Sequence, residues 1–389
     1  MKKSNSKRFK ILFLTTSRAD FSLIKNLYKY FREDCSFDSR LCVAGSHLIN
    51  NFGNTLKEIQ KEGIAIEYKI RTNIDSLNNA KRNSELLMLT KNFTNILNNF
   101  NPYMLIVLGD RFELLPLVYF AKLNRILVTH LHGGDKTTGS FDDTVRHSIT
   151  KLSDFHFVIN EEAKKRVIQL GENRKFIFKV GGFGVDNIFL NDFINKKSIE
   201  DQLRISIDKN FFLITVHPDT VKSKTSNLIN NILISLKSFS DFTLIFTSPN
   251  FDKGHQIIDN SIKRFCQNNS NAFYFKSLGG NLYLSIMKLS SLVIGNSSSG
   301  ILEAPYFKKI TVNIGDRQKG RSMGKSIVNC KDNYRSITKA IKKSLKNDFP
   351  SNNYKMFGDK GASLKTYKKL CKIILTKSHN PKEFNDLKI

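Results

Sequence analysis

The chain has 389 residues, which is long enough for two domains, and its 40% hydrophobic and 25% charged content excludes global disorder. Its 62 basic and 34 acidic residues give a formal net charge of +28 that is spread along the chain. Because no RRM, KH or zinc-finger signature accompanies this charge, the composition favours biased lysine usage and an anionic small substrate over a nucleic acid.

The cysteines and the apolar runs indicate the compartment. The five cysteines have no metal-ligand spacing such as CxxC, which is typical of reduced thiols. The apolar run ILFL that follows the basic N-terminal segment is too short for the core of a signal peptide. No run approaches the 18 or more apolar residues that span a bilayer. These features predict a cytoplasmic protein without a membrane partner.

The first half of the chain alternates strands with helices. It opens with a strand at 9–14, the polar loop TTSRAD, and a helix at 21–31 for which Asp20 is the predicted N-cap. The loop places Ser17 and Arg18 near a helix N-terminus, which suits an anion, and the absence of GxGxxG argues against a dinucleotide. Further strands are predicted at 37–44, 104–108, 125–135 and 155–159, and helices at 52–63, 85–100, 112–124, from about Phe141, and at 161–171.

The second half repeats the alternation after VGGFGVDNI at 180–188, a glycine-rich segment that predicts a hinge. Strands are predicted at 211–216, 242–247, 292–295 and 309–314, and helices at 226–238, at 255–267, from residue 301, and along the basic tail at 332–380. This order predicts an α/β fold with parallel, doubly wound sheets.

The stretch MLIVLGDRF at 104–112 is a buried strand that ends in Gly109, Asp110 and Arg111. Ligands of open α/β sheets bind at the carboxyl ends of the strands, so Asp110 and Arg111 are candidates for a site. The alternative is that the pair only caps the next helix.

A second set of ionisable residues follows HLHGGD. His132 ends the next strand, and Asp142, Asp143 and Arg146 lie on the following turn and helix. His132 and the two aspartates, together with His47 and His217, suit general acid/base chemistry. A metal site is the competing interpretation, but HxxxH and HExxH spacings are absent. His147 and His156 are predicted to be structural.

The stretch NSSSG at 296–300 places three hydroxyl groups and several backbone N–H groups where a helix begins, which can bind a phosphate. Ordinary N-capping is the alternative. Glu303 follows one turn later and could accept the two hydroxyls of a ribose. GDRQKGR adds Arg317, Lys319 and Arg321. Because a Walker A motif is missing, the bound nucleotide is predicted to be a substrate or product and not a fuel.

Several motifs together resemble the hydrolysing UDP-N-acetylglucosamine 2-epimerases of bacterial sialic-acid synthesis. The resemblance covers about residues 8–363, and RHSITKL and GNSSSG…GDRQKGR are its most specific parts. It implies a GT-B architecture of two Rossmann-like domains with the active site in the cleft between them. The expected divisions are an N-terminal domain at 1–184, a UDP-binding domain at 185–362, and at 363–389 a C-terminal helix that packs back on the first domain, followed by the tail.

The same resemblance implies a two-stage reaction and its residues. UDP is eliminated across C1–C2 of the sugar to give a glycal, and water then adds to release N-acetylmannosamine with inverted C2. His132 stands where many relatives carry Glu, and Asp135 stands where they carry the last Glu of EGGE or HGGE, so the group that removes the C2 proton stays open. The implied catalytic set is Asp110, Arg111, His132, Asp142 and His217. The implied UDP-sugar contacts are Arg18, His47, Asn250, Ser297, Ser298, Gly300, Glu303, Arg317 and Arg321.

Elimination chemistry needs no NAD, so no cofactor is expected and nothing in the sequence requires a divalent cation. A homodimer is implied by the family alone, and no nucleic-acid partner is expected. The closest alternative keeps the mechanism but uses UDP-2,4-diacetamido-2,4,6-trideoxyglucose, for legionaminic acid. A GT-B glycosyltransferase and a nucleic-acid-binding protein driven by the +28 charge are more distant alternatives.

Overall fold

The computed structural model describes residues 8–48, 55–72, 79–138, 141–207, 210–218, 225–249, 254–350, 356–377 and 381–387. The strands are β1 Phe9–Thr15, β2 Phe37–Ala44, β3 Tyr68–Ile70, β4 Met104–Leu108, β5 Leu127–Leu131, β6 Phe155–Val158, β7 Ile177–Lys179, β8 Phe211–Thr215, β9 Thr243–Thr247, β10 Ala272–Phe275, β11 Leu292–Gly295, β12 Thr311–Ile314 and β13 Ile327–Cys330. The helices are α1 Arg18–Glu33, α2 Thr55–Lys61, α3 Asn79–Phe100, α4 Leu114–Leu123, α5 Phe141–Leu152, α6 Glu161–Gln169, α7 Phe183–Leu190, α8 Lys196–Leu203, α9 Thr225–Leu236, α10 His255–Gln267, α11 Gly279–Leu289, α12 Ser299–Leu302, α13 Tyr334–Lys346 and α14 Ala362–Thr376.

These elements form two compact units. Unit 1 comprises Met1–Lys136, Phe141–Asn187 and Phe357–Ile389, and unit 2 comprises Thr137–Ser140 and Ile188–Met356. The predicted division after residue 184 therefore falls shortly before the observed one, and residues 357–362 belong to unit 1 and not to the second domain. They are held there because the amide of Gly182 donates to the carbonyl of Phe357 at 2.8 Å.

Unit 1 is built on a parallel sheet in the order β3-β2-β1-β4-β5-β6-β7. One face of the sheet shares a core with α1 and α14, where Leu27, Phe31 and Leu370 are fully buried. The opposite face packs against α3, α4 and α5 through side chains such as Phe93 and Ile149. Strands covered on both faces have near-continuous apolar sequences, and MLIVL of β4 is buried throughout.

Helix α14 closes unit 1 with residues from the far end of the chain. Its N-cap residue is Gly361, which has no side chain to accept the first amides. The carboxylate of Asp186 does so instead, accepting from the amides of Gly361 and Ser363 at 2.6 Å and of Ala362 at 3.0 Å. The predicted C-terminal helix that packs back on the first domain is thus confirmed.

Unit 2 repeats the plan with a parallel sheet in the order β10-β9-β8-β11-β12-β13. Helices α9, α10 and α13 cover one face, with Ile229, Ile262 and Ile341 in the core. Helices α8 and α11 contribute to the core of the other face through Ile199 and Ile286. The predicted α/β class with two Rossmann-like domains is confirmed.

Three local predictions differ from the structure. The N-cap of α1 is Ser17 and not Asp20, because the Ser17 hydroxyl accepts from the amide of Asp20 at 3.3 Å. The predicted hinge at 180–188 contains most of α7, which begins directly after Gly181 and Gly182. The helix predicted from residue 301 ends at Leu302, and Ala304–Phe307 form a 3-10 turn that includes Pro305.

None of the helices in the described ranges combines the length and the apolar character needed to cross a membrane.

Candidate active site

The carboxyl ends of β1 and β4 define the first cluster, in unit 1. These neighbouring strands are adjacent in the sheet but far apart in the chain, and the helices after them leave on opposite faces, the arrangement in which α/β sheets bind ligands. Gly109 turns the chain immediately after β4 with φ of +85°, a conformation that glycine adopts without steric cost. Asp110 and Arg111 therefore follow the strand end directly, as the sequence predicted.

Arg146 of α5 joins the acidic residues of this cluster. Its guanidinium is almost fully buried and forms an ion pair with the carboxylate of Asp110. It also contacts Asp143 at 3.3 Å and donates to the carbonyl of Asp135 at 3.1 Å. The structure thus brings Asp110 and Asp143 together through an arginine that the sequence analysis did not include among the site residues. The helical spacing of Asp143 and Arg146 was the available signal.

Asp142 lies in the first turn of α5, as predicted, with an exposed side chain. Arg146 pairs with Asp143, three residues before it on the helix, and the carboxylate of Asp143 also lies 3.7 Å from His147. The two adjacent acids therefore differ in their surroundings. Asp143 is part of the partly buried ion-pair cluster, whereas the side chain of Asp142 is exposed.

His132 follows β5 in a left-handed conformation with φ of +62°, which costs a non-glycine residue of order 1–3 kcal/mol. Two hydrogen bonds support it. Its amide donates to the carbonyl of Phe157 at 2.9 Å, and the amide of Phe183 donates to its Nε2 at 3.3 Å. Nε2 is therefore the unprotonated nitrogen, and the ring packs against the Phe183 ring.

A buried carboxylate that sequence analysis treated only as a cap also belongs to this region. Burial raises the pKa of Asp20, while the charge of Arg111 and hydrogen bonds from Ser17 and Thr16 oppose the shift. Arg111 forms a 3.0 Å ion pair with buried Glu113. Asp20, Arg111 and Glu113 thus interact within unit 1.

Two predicted substrate contacts of unit 1 have different surroundings. Arg18 is the first residue of α1 and is exposed. His47 is 2% exposed, and its Nε2 lies 3.0 Å from the Thr15 hydroxyl. Burial lowers the pKa of His47 to about 3, so the imidazole is neutral near pH 7.

The second cluster, in unit 2, lies at the ends of β8 and β11. The amide of His217 donates to Oδ1 of Asn296 at 2.7 Å, and Nδ2 of Asn296 donates back to the carbonyl of His217 at 2.9 Å. Directly before Asn296, Gly295 has φ of +137°, and a Cβ there would lie 1.9 Å from the carbonyl oxygen of Thr215. Only glycine fits this approach, which locks the two strand ends together.

The three serines after Asn296 are partly buried. Ser298 occupies the N-cap of α12 but makes no side-chain capping hydrogen bond. The hydroxyl oxygens of Ser297 and Ser299 are 3.0 Å apart, and the Ser299 hydroxyl is also 2.6 Å from the Tyr283 hydroxyl. A Cβ on Gly300 would lie 2.7 Å from Cγ2 of Thr311, so the turn is closely packed. Ordinary capping therefore does not explain Ser298.

The remaining predicted residues in the described part of unit 2 are Glu303, Arg317 and Arg321. Burial raises the pKa of Glu303, the residue after α12, to about 7. Arg317 donates to the carbonyl of Asn296 at 3.2 Å, and buried Gln318 donates to the same oxygen at 2.9 Å. Arg321 follows on the same loop, its amide 3.2 Å from the carbonyl of Gln318. The structure thus gathers His217, the serines and Arg317 around Asn296, a residue missing from the predicted site.

Asn250, the last predicted contact, lies outside the described residues. Within the described ranges, no group of three or more His, Cys, Asp or Glu side chains is arranged to hold a metal ion.

Comparison with known proteins identifies the family of the chain and relatives that share its fold. Residues 29–371 match the family described as UDP-N-acetylglucosamine 2-epimerase. A "GDP/UDP-N,N'-diacetylbacillosamine 2-epimerase (hydrolyzing)" of Campylobacter jejuni is 38% identical over 89% of this chain and 90% of its own length. A "Polysialic acid biosynthesis protein P7" of Escherichia coli is 35% identical over 88% of each chain. The crystal structure of a Methanocaldococcus jannaschii UDP-GlcNAc 2-epimerase, in complex with UDP-GlcNAc and UDP, shares the fold, with a TM-score of 0.78 at 18% identity over 94% of this chain and all of that one.

Fold and strand-end clusters define a two-domain α/β enzyme of the GT-B type. The chain belongs to the UDP-N-acetylglucosamine 2-epimerase family. It is a hydrolysing UDP-sugar 2-epimerase.

Proposed function

We propose that this enzyme converts UDP-N-acetylglucosamine and water to N-acetylmannosamine and UDP, for the synthesis of sialic-acid-type nonulosonates. The observation that carries the proposal is the ion pair of Asp110 and Arg146 at the carboxyl end of the unit 1 sheet, in a member of this family. The ion pair fixes the orientation of a carboxylate that the resemblance assigns to acid/base chemistry.

The reaction has two stages with balanced proton transfers. A base removes the proton from C2, the C1–O bond to UDP breaks with its electron pair leaving on the diphosphate, and a C1–C2 double bond forms. Water then adds, its hydroxyl to C1 and a proton to C2 on the opposite face. We assign acid/base roles to Asp110 and Asp142, and His132 is the second candidate for the C2 base. Arg111 and His217 complete the catalytic set.

We assign UDP binding to the Asn296 cluster of unit 2. Departure of UDP requires its growing negative charge to be stabilised, and hydroxyls, backbone amides and arginines do this. Ser297 and Ser298 supply hydroxyls. His217 is hydrogen-bonded to Asn296, the residue directly before these serines. Glu303 accepts the ribose hydroxyls. The remaining assigned contacts are Arg18, His47, Asn250, Gly300, Arg317 and Arg321.

A second candidate substrate is UDP-N,N'-diacetylbacillosamine, the 2,4-diacetamido-2,4,6-trideoxy sugar. The 38% identical relative from Campylobacter jejuni is named for this kind of sugar, which favours it. The chemistry at C1 and C2 is the same for both sugars, and they differ at C4 and C6.

One experiment tests the proposal and separates the substrates. The purified protein is incubated with each UDP-sugar in D2O, and products are followed by NMR. We expect free UDP and a 2-epimeric sugar that carries deuterium at C2, because the proton is replaced from solvent. Turnover of neither sugar would refute the proposal. UDP release only when an acceptor sugar is added would indicate a glycosyltransferase instead.

We further propose that the enzyme works in the cytoplasm, as a homodimer, and without an added cofactor. Sedimentation velocity should give twice the chain mass of 44.5 kDa. Turnover should persist after dialysis against EDTA. A monomer, or an activity restored only by a divalent cation, would contradict the respective statement.

A further inference from the structure

A histidine outside the predicted site connects the two elements that carry the acidic residues of unit 1. His130 lies in β5 and is fully buried. Its Nε2 is 2.7 Å from the carbonyl oxygen of Gly109, in the turn after β4. Its Nδ1 is 3.1 Å from the hydroxyl of Thr150, in the last turn of α5. One side chain thus contacts the residue before Asp110 and the helix that carries Arg146.

The two contacts define the protonation of the ring. A carbonyl oxygen can only accept, so Nε2 carries the hydrogen and donates it to Gly109. Burial lowers the pKa of His130 to about 3, which keeps the ring neutral and leaves Nδ1 as an acceptor. The Thr150 hydroxyl also lies 3.0 Å from the carbonyl of Arg146, and its single hydrogen can serve either acceptor.

These contacts close a loop with the ion pair. Asp110 directly follows Gly109, and Arg146 lies one helical turn before Thr150. The turn and the helix are therefore joined twice, once through the Asp110–Arg146 ion pair and once through His130. A buried link of this kind resists displacement, because breaking it leaves a buried polar group unsatisfied.

We infer that His130 is a positioning residue that sets the Asp110 turn relative to α5 during catalysis. The inference rests on the proposed role of Asp110. His130 does not itself exchange protons with the substrate. It holds the Gly109 carbonyl, and through it the backbone from which the Asp110 carboxylate projects.

His156 provides the matched control. It is the neighbour of His130 in register on β6 and is equally buried. Its Nε2 bonds to Glu172 at 2.9 Å, a residue remote in sequence from the Asp110 turn. A general loss of buried-histidine packing should affect both variants, whereas loss of positioning should affect only His130.

The test compares His130→Leu, His130→Gln and His156→Leu in steady-state turnover and in amide hydrogen exchange. We expect His130→Leu to lower kcat about 10- to 100-fold, since small misplacements of reacting groups cost up to about 100-fold. KM should change by less than about threefold, and exchange should accelerate at 109–112. His130→Gln retains an N–H donor and should recover most of kcat. Thr150→Val, which keeps the side-chain shape, should lower kcat less than His130→Leu.

Two kinetic results would overturn the inference. One is a kcat of His130→Gln no higher than that of His130→Leu, and the other is an equal loss of kcat at equal thermal stability in His130→Leu and His156→Leu. Unchanged amide hydrogen exchange at 109–112 in His130→Leu would also overturn the inference, and this measurement needs no turnover. If the wild-type protein turned over neither sugar, only the proposed function would be refuted, so the two conclusions are tested separately.

Discussion

At the scale of single residues, the proposed mechanism depends most on Asp110 of unit 1. Replacing it with Asn keeps the shape but removes the charge that pairs with Arg146 and the capacity to take up a proton. We expect Asp110→Asn to lower kcat by at least about 100- to 1,000-fold, the scale of general acid/base catalysis. An assay of UDP release measures kcat. An unchanged thermal unfolding temperature of the variant controls for misfolding. Turnover like that of the wild type would remove Asp110 from the mechanism.

Glu303 gives a prediction about pH. Burial raises its pKa to about 7, so this carboxylate becomes protonated in the free enzyme as the pH falls below 7. If the carboxylate accepts the ribose hydroxyls, binding must first ionise it at low pH. KM for the UDP-sugar should then rise as pH is lowered from 8 to 6, by at most about tenfold per unit below the pKa. The diphosphate diester of a UDP-sugar does not titrate in this range.

Glu303→Gln is the control for that measurement. The amide does not ionise, so its KM should be nearly independent of pH between 6 and 8. Parallel profiles for wild type and variant would show that another group causes the dependence.

Site residues were predictable where the local sequence pattern identifies them. They were not predictable where a contact with a distant part of the chain defines their role. Asp110 was predictable because an apolar run ends there. Asn296, by contrast, acts through its bonds to His217, 79 residues away. His130 sits inside an apolar strand and has no local pattern that distinguishes it from a core histidine. Asp20 was assigned as N-cap because Ser17 and Asp20 are both good caps, and only the backbone geometry separates them.

At the scale of elements, α14 depends on a cap from a distant segment. Three backbone amides at its start bond to Asp186, which is 2% exposed. We expect Asp186→Ala to lower the free energy of unfolding by about 2 kcal/mol, the upper end for a lost N-cap. Urea denaturation monitored by circular dichroism measures it. Asn195→Ala removes the local cap of α8, an exposed single bond to Ser198, and should cost less. Equal costs would contradict the special role of Asp186.

Elements with a strong hydrophobic pattern were predictable, and the strands at the sheet edges were not. The alternation of buried strands and amphipathic helices gave β1, β4, α1 and α5 nearly at their observed positions. The prediction missed the four edge strands β3, β7, β10 and β13 and the helices α8 and α11. These strands are only partly buried, so their sequences lack the continuous apolar run that identifies four-residue strands in the sheet interior, such as β11 and β12.

At the scale of the whole molecule, the last described segment is fastened to unit 1. Lys382 donates to Glu172 and to the carbonyl of Ser153, both at 2.5 Å, and the Phe384 ring lies against Gly171. Glu172 also bonds to His156 and Lys151 at 2.9 Å. These contacts tie the chain end to α5 and β6 through one buried carboxylate.

This carboxylate should make the stability of unit 1 sensitive to acid. Burial raises the pKa of Glu172, but hydrogen bonds and charge from His156, Lys382 and Lys151 outweigh it and lower the pKa to about 2. The stabilisation is therefore complete above the unfolded pKa of about 4.3 and is lost as pH falls towards 2. Urea midpoints between pH 6 and 3 should fall more steeply for wild type than for Glu172→Gln. Equal slopes would exclude Glu172 as the cause.

Unit 1 is built from separate segments of the chain, and this determines the order in which the two units can finish folding during synthesis. Unit 2 is nearly continuous in the chain, whereas unit 1 needs residues from 357 onwards. Until α14 leaves the ribosome, the face of α1 that carries Leu27 and Phe31 lacks the helix that covers it. Nascent or prematurely terminated chains thus expose a hydrophobic surface of the kind that chaperones bind, and the N-terminal half is finished last.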